Sequence, residues 1–306
     1  MSEFKAGVVL VTFNRLDELK KSIPCYECQT LKPKYMIVVD NCSTDGTKEY
    51  LEQWLTVESE IEKKVIFLPE NRGGSGGFYA GLKEASERTD VDWIWVADDD
   101  AFPELYDFEE AAKFIELHPD LMKEVSALCG MVEYEGHIAA VQRERFKKTI
   151  FGTYDIGIPE KEFREKEYFD IDLYSFVGTF MRYDALLKAG LPREDFFIYN
   201  DDYEHAVRMG KQGRLICVPK IRIEHRDNYM YNHIATWRDY YATRNVVIMY
   251  KEHFDKKSMN LRALRRIAVA YTSFNKMKIK VIKDGVKDGK AGKTGLHPVY
   301  RPGWKG

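Results

Sequence analysis

A chain of 306 residues with 44% hydrophobic and 31% charged residues carries enough apolar material for one large core or two modest ones, which excludes collagen-like and disordered polymers. No stretch approaches ~18 uncharged apolar residues, so an ordinary membrane-spanning helix is excluded as well. The net charge of −2 conceals an asymmetry: between Lys251 and Gly306, 15 Lys and Arg stand against 4 Asp and Glu, a net +11 that leaves −13 for residues 1–250.

In chain order, Met1 to Lys5 run straight into the apolar residues 7–13, and Thr12-Phe13-Asn14-Arg15 cuts that run short; the pattern predicts a strand and not a signal peptide. Residues 17–29 have helical spacing through Leu19, Ile23 and Tyr26. A second apolar run, 35–39, ends at Asp40, and a helix is expected over 44–55 with Ser43 or Thr44 as its N-cap. A third run at 65–68 leads to Asn71-Arg72-Gly73-Gly74-Ser75-Gly76-Gly77, too dense in glycine for a strand or a helix and read as a loop before a helix over 78–86. The fourth run, 93–97, ends in Asp98-Asp99-Asp100. Strand–helix alternation with continuously apolar strands predicts an α/β fold with a doubly wound, mostly parallel sheet. Ligands of such sheets bind beyond the carboxyl ends of the strands, so Thr12, Asn14, Arg15, Asp40, Asn71 and Asp98–Asp100 should face one crevice.

Further along, 127–133 and 171–183 read as strands, 202–211 as a helix ended by Gly213, 215–218 and 221–224 as short strands, and 236–254 as a long aromatic helix. Residues 259–282 have helical apolar spacing with Arg and Lys between, the pattern of one basic amphipathic helix lying on an anionic bilayer or docking on the body of the protein. The Gly/Lys-rich residues 284–295 are expected to be a loosely ordered loop. Five cysteines, an odd number, make no disulfide framework and suit a reducing, cytosolic compartment; Cys25 and Cys28 read as two thiols on one helix.

The chemistry concentrates in acidic groups. In an extended Asp98-Asp99-Asp100, alternate side chains point the same way, so Asp98 and Asp100 can converge on one Mg²⁺ or Mn²⁺ that also takes diphosphate oxygens, with His225 as a nitrogen ligand. Asp40 can accept a hydrogen bond from a pyrimidine N3–H or a ribose hydroxyl. The glycines at 73, 74 and 76, with Ser75, let backbone N–H groups approach an anion near a helix N-terminus, without the Gly-Lys-Ser/Thr of an NTP loop or the dinucleotide fingerprint. Asp201, Asp202 and Glu204 open a helix, and one of them could take a proton from a hydroxyl.

Over about residues 7–250 these segments together resemble the inverting glycosyltransferases of family 2, which have the GT-A fold. The loop 71–78, the triple aspartate, Asp201-Asp202-x-Glu204 with Arg208, and Tyr240-Tyr241-Ala242-Thr243-Arg244-Asn245 are similar to the branch that transfers galactofuranose or rhamnose. The resemblance implies that Asp40 contacts uracil or thymine, that Asp98, Asp99, Arg15 and the glycine loop lie around the donor, and that Asp98, Asp100 and His225 hold Mg²⁺ or Mn²⁺. It makes Asp202 the catalytic base with Asp201 second, and puts Glu204 and Gly178 beside the acceptor. The branch resemblance makes UDP-galactofuranose the expected donor, with dTDP-rhamnose as the alternative; where the galactofuranosyltransferases carry a Trp-rich segment this chain has Tyr174-Ser175-Phe176-Val177-Gly178-Thr179, a departure that bears on the sugar and not on the reaction. A sugar nucleotidyltransferase would carry a basic Gly-rich loop where Asn14-Arg15-Leu16-Asp17 stands, and a nucleic-acid partner finds no stacking motif on an acidic body. The expected organisation is a catalytic domain over 1–235, with a nucleotide half to about 100 and an acceptor half after it. A basic helical extension, 236–306, would touch the inner face of the cell membrane, where the acceptor is a glycan or lipid-linked glycan; an oligomer is possible.

Overall fold

The four apolar runs of the first hundred residues form parallel strands β1 (Ala6–Thr12), β2 (Tyr35–Asp40), β3 (Glu62–Phe67) and β4 (Trp93–Asp98), separated by helices α1 (Leu16–Glu27), α2 (Thr47–Thr56) and α3 (Gly73–Ser86). The computed structural model describes residues 4–226 and 234–304. Both faces of β1 are buried, which is why its sequence is continuously apolar: Val9 and Val11 join Phe78 and Leu82 of α3, while Val8 and Leu10 join Leu19 and Ile23 of α1.

The second half supplies strands β5 (Ala101–Pro103), β6 (Val125–Tyr134), β7 (His137–Ile138), β8 (Arg143–Thr149), β9 (Gly152–Gly157), β10 (Phe169–Ile171), β11 (Leu173–Tyr174), β12 (Thr179–Arg182) and β13 (Arg214–His225). Its helices before residue 226 are α4 (Asp107–Leu117), α5 (Pro119–Met122), α6 (Glu160–Glu165), α7 (Tyr183–Ala189) and α8 (Asp201–Met209). The large sheet runs β10-β13-β6-β12-β4-β1-β2-β3, with β12 antiparallel between β6 and β4. A small antiparallel sheet, β11-β8-β9, stands apart. Expected strands 171–183 are thus three short ones, and the two expected at 215–218 and 221–224 are one strand with an irregularity between Val218 and Arg222.

Two glycine-rich stretches differ from expectation. The expected loop 71–77 is mostly helix, since α3 begins at Gly73; a methyl group at Gly77 would collide with Val11, and one at Gly81 with Val9, so the glycines let this helix lie against β1. Likewise α2 starts at Thr47 after Gly46, at φ +92°, with the Asp45 carboxylate accepting from the Thr47 N–H and hydroxyl in place of a Ser43 or Thr44 cap.

After the long helix α9 (Trp237–His253), closed at its start by a Thr236–Asp239 capping box, the basic region is two helices, α10 (Lys256–Thr272) and α11 (Lys276–Ala291). Phe274, at φ +52°, makes the corner, and the Asn275 side chain caps α11 by accepting from the N–H groups of Met277 and Lys278. Residues 284–291, expected to be loose, continue α11. A Cβ at Gly285 would sit 2.9 Å from the Tyr240 carbonyl oxygen, and one at Gly289 2.6 Å from that of Arg244, so bare backbone is what allows α11 to lie against α9. The Tyr240 hydroxyl donates to Asp288 (2.9 Å) and that of Tyr241 to the Tyr300 carbonyl (2.8 Å). Residues 227–233, beside the expected boundary at 235, lie outside the described residues, as do 1–3 and 305–306. Among the described residues no helix is long and apolar enough to cross a membrane.

Candidate active site

The carboxyl end of β4 runs into β5, which pairs antiparallel with the end of β13 so that His225 stands opposite Ala101. This register brings one ligand atom each of Asp98, Asp100 and His225 within 4.8 Å of one another. Asp99, on the alternate face, accepts from the Thr12 hydroxyl at 2.6 Å, and the Arg15 guanidinium bonds Asp100 and stands 3.5 Å from Asp99. Burial, with the neighbouring Asp100, pushes the Asp98 carboxyl up to about 8. Two crowded carboxylates, Asp100 buried and Asp98 half-buried, and an imidazole whose Nε2 is 3.2 Å from Asp100 form a donor set that fits a hard divalent cation, whose charge would let both acids ionise.

Beyond β2, Asn41 does what its sequence position did not announce. Its side chain donates to the Gly73 carbonyl (2.9 Å) and the Asn71 side chain (3.3 Å) and accepts from the Arg72 N–H (2.9 Å), stitching the strand end to the start of α3. Gly73 needs its bare backbone, at φ +71°, because a side chain would run into the Phe197 carbonyl. Asp40 is buried and accepts from the Ser43 N–H at 3.0 Å, so it shapes the turn after β2.

The acidic start of α8 follows a strained turn. Phe197, Tyr199 and Asn200 all have positive φ (68°, 64° and 62°), an uncommon backbone for residues other than glycine. Asn245 of α9 explains how it persists: its side-chain amide donates to the carbonyls of Phe196, Ile198 and Tyr199 at 2.8–3.0 Å, while Arg244 bonds the Phe196 carbonyl and braces Asn245. This turn presents Asp201 and Asp202. Burial raises Asp201 to about 7, and burial together with Asp201 holds Asp202 well above the usual carboxylate range. A carboxyl so tuned can take up a proton near neutral pH.

The aspartates of the β4 end, His225, Asn41, Asp201 and Asp202 open on one cavity of about 690 Å³. Of the residues expected from sequence, Thr12, Arg15, Asn71, Gly73, Gly74, Asp98, Asp99, Asp100, Asp201, Asp202 and His225 line it. The others do not line it: besides Asp40, exposed Asn14 accepts from the Thr44 N–H (2.7 Å), buried Ser75 and Gly76 lie in the first turn of α3, and Gly178, at φ +67°, is wedged against Ile223 and Trp95. Glu204, expected beside the acceptor, faces the other way and bonds Arg208 and His253 (both at 2.8–2.9 Å), an anchor between α8 and α9. Sequence reasoning missed another part of the lining, where Glu144 and Asp155 come from the β8–β9 hairpin, Trp237 from the start of α9 and Arg262 and Arg266 from α10. The pattern of acid and base at 143–155 carries no motif, and only folding brings it to the cavity.

The family model of glycosyl transferase family 2 matches residues 7–185, more than half of the chain. Over 92 residues the chain is 39% identical to a protein of Mycobacterium tuberculosis (strain ATCC 25618 / H37Rv) named galactofuranosyltransferase GlfT1, a segment that is 30% of this chain and 29% of that one. The chain therefore aligns with under a third of the length of this relative. It is similar in fold to GalNAc-T7 crystallised with UDP, GalNAc and Mn²⁺ (TM-score 0.63, 13% identity, 93% of this chain and 55% of that one). A similar likeness holds for a mannosyltransferase of Pyrobaculum calidifontis in complex with GDP-Man and Mn²⁺ (TM-score 0.56, 15% identity, 94% of this chain and 75% of that one).

Proposed function

We propose that this chain, which belongs to glycosyl transferase family 2 and is a glycosyltransferase of GT-A fold, moves galactofuranose from UDP-galactofuranose to a hydroxyl of a glycan or lipid-linked glycan, with inversion at the anomeric carbon. The observation that carries the reading is the single cavity with Asp98, Asp100 and His225 at one end and the raised carboxyl of Asp202 in the same wall. Partial likeness to GlfT1 supports the choice of sugar; dTDP-rhamnose is the second donor, since the chain lacks the Trp-rich segment of galactofuranosyltransferases.

In this reading Thr12, Arg15, Asn71, Gly73 and Gly74 line the donor end, and Asp98, Asp100 and His225 hold Mg²⁺ or Mn²⁺, which when bound supplies positive charge to the diphosphate. The acceptor oxygen forms its bond to the anomeric carbon as the bond from that carbon to the diphosphate oxygen breaks. The electron pair leaves with the nucleoside diphosphate, and the acceptor proton goes to a carboxylate oxygen of Asp202. Burial beside Asp201 suits Asp202 to that proton, and the bonded turn 196–200 holds it in place.

The corner between α10 and α11 supports peripheral contact with an anionic membrane: Phe274 is 92% exposed, with Tyr271 and Met277 exposed near it and Lys276, Lys280 and Lys283 on the following helix.

Two measurements test the reading. D202N is expected to lower kcat by about 10²–10⁴ with the affinity for UDP unchanged, and EDTA is expected to abolish transfer until Mn²⁺ is returned. Turnover of D202N near that of wild type, or full activity in EDTA, overturns the corresponding assignment.

A further inference from the structure

The cavity lining includes parts that the donor reading leaves without a task. Glu144 on β8 and Asp155 on β9 share one face of the hairpin, Asp155 standing opposite Phe146, two residues from Glu144. Arg262 reaches them from α10, its Nη2 2.8 Å from Asp155 Oδ2, and the Tyr250 hydroxyl donates to the other oxygen of Asp155 at 2.8 Å. Asp155 is thus fully employed. Glu144 and Arg262 are not: Glu144 Oε2 and Arg262 Nε are both buried without a hydrogen-bond partner, and both residues line the cavity. Buried polar atoms are nearly always paired, so an acceptor and a donor left open in one wall point to a ligand that offers both hydroxyl hydrogens and oxygens.

What shares the cavity says where such a ligand sits. Asp202 and its neighbour Tyr203 line it together with Glu144 and Arg262, as do Asp98 and Asp100. In-line displacement requires the acceptor to approach from the face away from the leaving diphosphate, past the base. Glu144 and Arg262 are lining groups that the donor leaves unused.

We infer that Glu144 and Arg262 form the acceptor subsite and recognise a sugar of a glycan acceptor through a pair of its hydroxyl groups. The inference rests on the glycosyltransferase reading above and deepens it. One hydroxyl of a diol donates to Glu144 Oε2 while the oxygen of the other accepts from Arg262 Nε, an arrangement neither phosphate nor an alkyl chain reproduces. The subsite spans both parts of the chain, since Arg262 belongs to the basic helices, and it takes the place that Glu204 and Gly178 were expected to hold.

The test uses the full chain with Mn²⁺, UDP-galactofuranose and dTDP-rhamnose as donors, and octyl glycosides of rhamnose, galactose and N-acetylglucosamine as acceptor probes. E144Q and R262K, which keeps a cation beside Asp155 but removes the open Nε, with E144D as a second, shorter carboxylate, are compared with wild type for acceptor KM, kcat, the UDP-induced shift in Tm and the slow release of sugar to water without acceptor. The expected result is a rise of tenfold or more in KM for the best glycoside, with the UDP shift and the release to water within twofold of wild type. Unchanged acceptor KM in folded variants overturns the inference and leaves the donor reading intact. Loss of the UDP shift in both Glu144 variants also overturns it, making Glu144 a support of the fold. If no glycoside binds or accelerates sugar release in wild type, the inference fails; if wild type binds no nucleotide, the donor reading fails first and this falls with it.

Discussion

Arg262 of α10 sets its guanidinium 2.8 Å from Asp155 of β9, a buried ion pair between the basic C-terminal helices and the hairpin that walls the cavity. The same region contributes Met259, Ala263 and Val286 to a cluster with Val246, Val247, Met249 and Tyr250 of α9. Residues 251–306 therefore complete the body of the protein. Removing them would expose this apolar face and leave Asp155 without its cation. Breaking a buried pair of this kind alone costs about 3–5 kcal/mol. A chain ending at 250 is expected to aggregate, or to melt well below the full chain and give no UDP-induced Tm shift; a soluble, UDP-binding truncation with wild-type Tm would contradict this.

Glycines 74 and 77 are three residues apart and are expected to respond oppositely to alanine. A Cβ at Gly77 collides with Val11, where α3 lies against β1, whereas one at Gly74 meets nothing within 4 Å. Overpacking of this sort costs about 1–3 kcal/mol, so G77A should lower the midpoint of urea unfolding while G74A stays within about 0.5 kcal/mol of wild type. Equal effects would mean that α3 can move off the sheet.

These positions also mark how far the sequence was legible. Both faces of β1, β2 and β4 are buried, so each appears as an unbroken apolar run, and the polar residues at their ends identify the crevice. Alternation along a strand was enough to bring Asp98 and Asp100 together and turn Asp99 toward Thr12. Glycine was the source of error, because its two uses look alike in sequence. At Gly46 it permits positive φ in a turn; at Gly77, Gly81, Gly285 and Gly289 it lets helices approach a strand or another helix. Glu144, Asp155 and Asn245 were invisible for a different reason. Asp155 bonds Tyr250, 95 residues away, Asn245 bonds carbonyls 46–49 residues away, and Glu144 reaches the cavity only through the folded hairpin; local pattern carries no trace of such placements.

Glu204 offers a pH test separate from catalysis. Burial alone would raise its carboxyl, but hydrogen bonds from His253 and Arg208 outweigh that and hold it at about 2, against 4.5 for the free group. A depressed carboxyl stabilises the fold fully above the unfolded value and loses that contribution as pH falls from about 4.5 toward 2; the shift corresponds to about 3 kcal/mol. E204Q is expected to be less stable than wild type by that order at pH 7, with the difference shrinking below pH 4, and to keep its acceptor KM. Denaturant titrations at pH 7, 4 and 3 read the first two, and steady-state kinetics the third. A pH-independent difference would show that the carboxylate charge contributes nothing.

Phe274 is the most exposed large apolar side chain among the described residues, at 92%, held out at the corner of two basic helices by a positive φ of 52°. Exposing a phenyl ring to water has no structural return here, since Asn275 alone caps the next helix. Inserted below the headgroups of an anionic bilayer, the ring would lose its contact with water while Lys276, Lys280 and Lys283 meet the lipid phosphates, each cation near the surface being worth about 1 kcal/mol. F274E places a charge at the point of insertion without disturbing the cavity. It is expected to reduce flotation with vesicles containing phosphatidylglycerol by tenfold or more, with kcat on a soluble octyl glycoside unchanged. Wild-type flotation should weaken as salt rises from 0.05 to 0.5 M by about the screening of exposed charges. Flotation that is equal for F274E and wild type, or equally strong with neutral vesicles, would remove the membrane from this corner and leave α10 and α11 to pack on α9, with Arg262 and Arg266 of α10 lining the cavity.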